Sequence, residues 1–153
     1  YGRAEAAQLF WQRYGLIAGG RSGYRLGDLA ASYPPEHFSS AACRSEILYA
    51  PHSHFDLYGN FIPGFCGGLS VGDWHNLSAL RDSFSAGRYP ALIRTLIEEG
   101  PYGLYRLAGS QYGYTARKEG YVGKCHLCVD VRRHLAGRED FDELKPKEFY
   151  AHI

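Results

Sequence analysis

His54-Phe55-Asp56-Leu57-Tyr58-Gly59-Asn60-Phe61-Ile62-Pro63-Gly64-Phe65-Cys66-Gly67-Gly68 is the stretch on which the fold turns. Apolar and polar residues alternate around Tyr58-Gly59-Asn60, a turn signal, and this predicts a β-hairpin. On this reading one strand carries Ile47, Leu48 and Tyr49 towards His54 and Asp56. The other returns through Phe61 and Ile62, and the tip is Leu57 to Asn60. Cys43 lies just before the hairpin and Cys66 just after it, so antiparallel pairing is expected to bring the second thiol back to the first. Gly67 and Gly68 then allow the backbone to approach a bulky inorganic centre closely.

Outward from the hairpin the chain reads as helical. Ala7, Phe10, Trp11 and Tyr14 recur at helical spacing within residues 4–14, a face expected to enter the core, and Gly15 follows as a stop. Arg21 to Tyr24 read as a turn before a short helix around Leu26 to Ser32, which Pro34-Pro35 ends. Beyond the hairpin, Gly72-Asp73 reads as a turn into a helix from Asn76, with Leu77, Leu80 and Phe84 as its buried stripe. Residues 89–99 form a second helix with Leu92, Ile93, Leu96 and Ile97 inward and Gly100-Pro101 as its stop. A third runs from Leu104 to around Ala108, and an irregular, Gly- and Tyr-rich loop leads to Cys125. Val129 to Leu135 is expected to be helical, and the tail from Glu143, with Pro146 at a helix start, to pack back on the body. The expected class is α+β: a β-hairpin with flanking helices around a metal centre.

Bulk properties narrow the function. A chain of 153 residues is of single-domain size. Its 17 Lys and Arg against 16 Asp and Glu leave a formal net charge of +1, so no global field draws it to nucleic acid or to a membrane surface. The 13 Tyr and 8 Phe, without a basic groove, suit packing better than base stacking. No apolar run approaches the roughly 18 residues of a membrane span, and no export signal opens the chain, so the expected location is cytoplasmic. The chain starts at Tyr1 and holds no Met, and is expected to be a fragment of a longer protein.

The chemistry lies in the cysteines, spaced Cys43-x22-Cys66-x58-Cys125-x2-Cys128. Four in this length are too sparse for a disulfide scaffold, and intracellular thiols stay reduced. Cys125-His126-Leu127-Cys128 is a CxxC pair, a spacing that lets two thiolates on one tight turn reach the same metal. A thioredoxin-type CxxC sits early in a βαβ unit, whereas this one lies near the C-terminus. By ligand type alone, four thiolates suit an iron–sulfur cluster and a tetrahedral structural Zn²⁺ alike. Lys124, His126 and the amides of Gly67 and Gly68 are candidates to surround the centre and tune it. His52, His54 and Asp56 share one face of a strand, and a polar hairpin face accounts for them better than a second metal site. His75 and His134 read as surface or capping residues. A Cys/His hydrolase finds no local signature here, and a neighbouring thiol is a poor context for a nucleophile.

The pattern His54-x-Asp56-x-Tyr58-Gly59-Asn60-x-x-Pro63-x-x-Cys66-x-Gly68-x-x-x-Gly72, together with Gly123-Lys124-Cys125-His126-Leu127-Cys128, resembles the auxiliary-cluster domains called SPASM and twitch. These stand C-terminal to the barrel of radical SAM enzymes. The resemblance covers residues 41–135; it implies that residues 1–40 are a helical remnant of a preceding barrel and residues 136–153 a tail. It further implies one [4Fe–4S] cluster on Cys43, Cys66, Cys125 and Cys128, as in the shorter twitch form. The implied role is electron transfer or support of a substrate site, with the catalytic barrel of the full-length chain as partner. Gly2-Arg3-Ala4 is similar to the stretch that leaves such barrels. The CxxxCxxC triad that holds the S-adenosylmethionine-cleaving cluster is not in this sequence, so the chain alone is not expected to cleave that cofactor. A zinc-stabilised interaction module on the same four cysteines is the alternative.

Overall fold

Leu92, Ile93, Leu96 and Ile97 fall on one face of an eight-residue helix, and all four are buried. At about 1.5–3 kcal/mol for each fully buried side chain, that face alone is a large part of what holds a chain of this size together. Around it a computed structural model describes residues 2–15, 17–25 and 29–153. The helices are α1 (Arg3–Tyr14), α2 (Arg21–Arg25), α3 (Arg44–Leu48), α4 (Leu77–Ser85), α5 (Ala91–Glu98), α6 (Gly100–Tyr112), α7 (Lys124–Ala136) and α8 (Lys147–Ala151). Short 3₁₀ turns cover Pro35–Phe38 and Trp74–Asn76. The strands β1 (Ser53–Phe55), β2 (Asn60–Pro63) and β3 (Gly72–Asp73) form one antiparallel sheet in the order β1-β2-β3. The fold is thus mixed, mostly helical with a small three-stranded sheet.

The hairpin is where the sequence places it, with His54 opposite Ile62 and Phe55 opposite Phe61. Its tip is locked by Asp56, whose carboxylate accepts from the backbone amides of Tyr58 and Asn60 and from the Asn60 side chain, at 2.8–2.9 Å. Residues 44–48, expected to feed the first strand, instead form α3 with Cys43 as its N-cap. A four-residue apolar run carries no period that separates strand from helix, and here packing against α5 and β2 selects the helix. Gly72-Asp73 is a third strand rather than a simple turn, pairing with Asn60 and Phe61.

Other expectations shift in detail. Ala7 is the one buried residue of α1; Phe10 and Tyr14 are exposed, so the expected core face is not core. Arg21 to Tyr24 belong to α2 rather than to a turn; of the helix expected around Leu26 to Ser32, residues 26–28 lie outside the described residues and residues 30–32 are not helical. None of α4 is buried, so Leu80 and Phe84 pack against the edge of the core instead of entering it, and Leu77 is exposed. Gly100-Pro101 ends α5 and at once begins α6, which runs longer than expected. Gly100 has φ +67°, and a Cβ there would stand 2.0 Å from the Ala41 carbonyl oxygen. A side chain is therefore excluded where α6 meets the segment that leads to Cys43.

The core joins α5, α6 and α7 with the loop after β2, through Leu69, Leu92, Ile93, Leu104, Leu127, Val131 and Leu135. The tail packs back as expected, with α8 against α7. Among the described residues no helix is long and apolar enough to cross a membrane.

Candidate metal centre

Cys125 and Cys128 lie in the first turns of α7, not on a turn ahead of it, since that helix begins at Lys124. Gly123 precedes it in fully extended backbone, and Val122 and Tyr121 before it are buried, so the start of the helix is held by its own core contacts. Cys43 caps α3, and Cys66 ends the turn after β2, where its amide donates to the Pro63 carbonyl at 3.0 Å. All four cysteines are free thiols.

The four converge. Burial pushes the Cys43 thiol up, as do the charges that Cys128, Cys66 and Cys125 would carry, while Lys124 opposes the shift. Burial likewise pushes Cys66 up to about 12, against Arg132 and with Cys128 and Cys125. Cys125 is raised by burial and by Cys128. Every pair among the four is therefore within electrostatic reach, although they come from three separate segments. Among the described residues, however, no three His, Cys, Asp or Glu side chains are gathered tightly enough to hold a metal ion. Binding one requires the thiols to lose their protons and draw together.

The surroundings fit an anionic centre. Arg132 is 3% exposed and lies seven residues beyond Cys125 and four beyond Cys128, on the same face of α7. Its Nη1 donates to the Gly67 carbonyl at 3.0 Å and to the Tyr150 hydroxyl at 3.1 Å. Nε is buried with no partner among the described residues. Burial works against its charge, but Tyr150, Cys128 and Cys66 outweigh that and favour the guanidinium form. Four soft sulfur donors beside a buried cation are a donor set and a charge environment that a thiolate-ligated centre satisfies. Sequence reasoning passed over Arg132, whose spacing from the CxxC pair acquires meaning only once both are placed on α7.

The other expected neighbours divide. Lys124 Nζ donates to the Ala42 carbonyl at 2.6 Å and to the Glu46 carboxylate, fastening α7 to α3 beside the thiols. The His126 ring sits edge-on to Tyr24 and Tyr121, with centroids 4.8 and 5.4 Å away, and burial pushes its pKa down to about 4. That places it among a buried tyrosine group in which Tyr24 and Tyr114 both donate to Asp130, at 2.7 and 2.5 Å. At Gly67 and Gly68 the space a Cβ would need is filled by the Phe149 ring, so the packing of α8 by itself calls for glycine at both. The His52 and His54 rings lie tilted against Phe65, with centroids 4.9 and 5.7 Å away, and Asp56 is committed to the hairpin tip. His134, by contrast, has a partner, the Tyr112 carbonyl at 2.8 Å.

A cavity of about 410 Å³ opens against Cys66 and Cys125, walled by Tyr49, His52, Phe65 and Lys124. No protein-family model, curated protein or solved structure matches this chain.

Proposed function

We propose that this chain is an auxiliary iron–sulfur domain of the SPASM/twitch kind, in which Cys43, Cys66, Cys125 and Cys128 hold one [4Fe–4S] cluster for a cytoplasmic radical SAM enzyme. The observation that carries the reading is that four free thiols from three segments lie within electrostatic reach of one another beside the buried cation of Arg132. A cubane spaces its ligand sulfurs more widely than a single tetrahedral ion, so it asks for less drawing together of thiols that are near but not closely gathered.

When bound, such a cluster supplies one-electron transfer. The residues of this chain define its setting. With all four ligand positions met by cysteine, no open position is left for a substrate, so the role is to pass or accept electrons, or to support a substrate site, for a barrel elsewhere in the full-length protein. Lys124 and Glu46 tie α7 to α3, the helix that Cys43 caps, and the cavity against Cys66 and Cys125 gives the centre an accessible side.

Purification without oxygen, reconstitution with iron and sulfide, and measurement of bound iron, sulfide and zinc with the visible spectrum test this. About four irons and four sulfides per chain with a broad visible absorption support it. One tightly held zinc and no iron would replace it with a structural zinc module on the same ligands.

A further inference from the structure

From the placement of Arg132 we infer that this residue is the counter-charge of the centre, the group that offsets the negative charge of the four thiolates and sets how readily the centre takes up an electron. The inference rests on the cluster reading above, and it assigns a role to a residue outside the ligand set.

A guanidinium that is 3% exposed ordinarily has a carboxylate beside it, because an unpaired buried charge is expensive. Among the described residues no acidic side chain forms an ion pair with Arg132. Among the described residues its oxygen acceptors are the Gly67 carbonyl and the Tyr150 hydroxyl, both neutral, with the Cys128 sulfur beside it. Tyr150 is itself committed, since its hydroxyl donates to the Gly68 carbonyl at 2.5 Å. These contacts fix the plane of the guanidinium behind the Cys66 turn without neutralising it. Of the remaining donors, Nε is buried and unpartnered among the described residues. The groups left to carry the balancing charge are the sulfurs of Cys66 and Cys128, whose proximity favours the charged form of Arg132. Protonated thiols balance little, whereas ligated thiolates balance the charge and offer Nε an acceptor. Arg132 thus sits where a positive charge favours the more negative, reduced state.

The test compares wild type, Arg132→Gln and Arg132→Lys, each reconstituted with iron and sulfide without oxygen and titrated with dithionite through a series of mediators under electron paramagnetic resonance. At the solution potential that half-reduces wild type, Arg132→Gln is expected to shift the reduced-to-oxidised ratio at least about tenfold towards oxidised, as loss of a unit charge at short range predicts. Arg132→Lys, which keeps the charge but not the fork, is expected to recover most of that shift. Equal ratios in wild type and Arg132→Gln would overturn the inference while leaving the cluster in place. If Arg132→Gln fails to retain iron, retention by Arg132→Lys supports the requirement for charge, and equal failure of both overturns it in favour of packing. A wild type that binds no iron overturns the cluster reading itself, and this inference with it.

Discussion

Lys124 Nζ donates to the Glu46 carboxylate across 78 residues of sequence, so the first residue of α7 is tied to the middle of α3. Both side chains are partly exposed, at 30% and 43%, which limits what the pair adds to stability. Lys124→Met is expected to cost about 0.5–1 kcal/mol in urea unfolding. Its larger effect is expected on the ligands: slower and weaker iron loading, because Cys43 and Cys125 adjoin the two tied ends. Unchanged loading would make the pair a simple surface contact.

Metal binding should stabilise the chain, and each cysteine should be needed for it. Ligand present at a thousand times its dissociation constant adds about 4 kcal/mol, read as a rise in Tm. Cys43→Ala, Cys66→Ala, Cys125→Ala and Cys128→Ala are each expected to fold in the metal-free state and to lose most of that rise. Retention of the full rise in any one variant would remove that residue from the ligand set.

Gly68 has φ +76°, and a Cβ on it would meet Phe149 Cδ1 at 2.3 Å. Gly68→Ala therefore combines an unfavourable backbone conformation with overpacking, an expected loss of about 2–4 kcal/mol. In the double variant with Phe149→Ala the losses should be less than additive, because the ring is the obstacle. Strict additivity in denaturant unfolding would argue that α8 does not pack over this turn.

Stability of the metal-free chain should fall on both sides of neutrality. The His126 pKa is depressed from 6.5 to about 4, with burial the main cause, so its contribution is complete above about 6.5 and is lost as pH falls towards 4. The Cys66 pKa is raised from 9.0 to about 12, so its contribution is complete below 9 and is lost as pH climbs towards 12. Urea midpoints from pH 4 to 11 should trace both limbs, and His126→Gln should flatten the acid one. Iron loading should blunt the alkaline limb, since ligated sulfurs have already given up their protons.

How much of this was legible depended on where the information lay. The hairpin turn and α5 could be read because their signals are local: Tyr58-Gly59-Asn60 bends the chain, and Leu92, Ile93, Leu96 and Ile97 keep helical time. The run Glu46-Ile47-Leu48-Tyr49 was misread as strand because so short an apolar stretch fits either period, and neighbours that are distant in sequence decide it. The cysteine spacing suggested a common site, but it did not show the α-helical setting of the CxxC pair, because the buried Tyr121 and Val122 that anchor it show no periodicity of their own. Arg132 was missed for a related reason. Its partners, the Gly67 carbonyl and Tyr150, lie 65 and 18 residues away, and a single arginine among charged neighbours reads as solvated until the fold buries it.

The helix α4 buries none of its residues, yet it lies inside the long stretch of chain between Cys66 and Cys125. The stretch between these two cysteines is therefore part core, through α5 and α6, and part edge, through α4, which touches the core by Leu80 and Phe84. The exposed face of α4 can be recomposed at little cost provided that Leu80 and Phe84, which pack against the core, are kept. A graft on that face would put a new recognition surface on this architecture while leaving the four cysteines untouched.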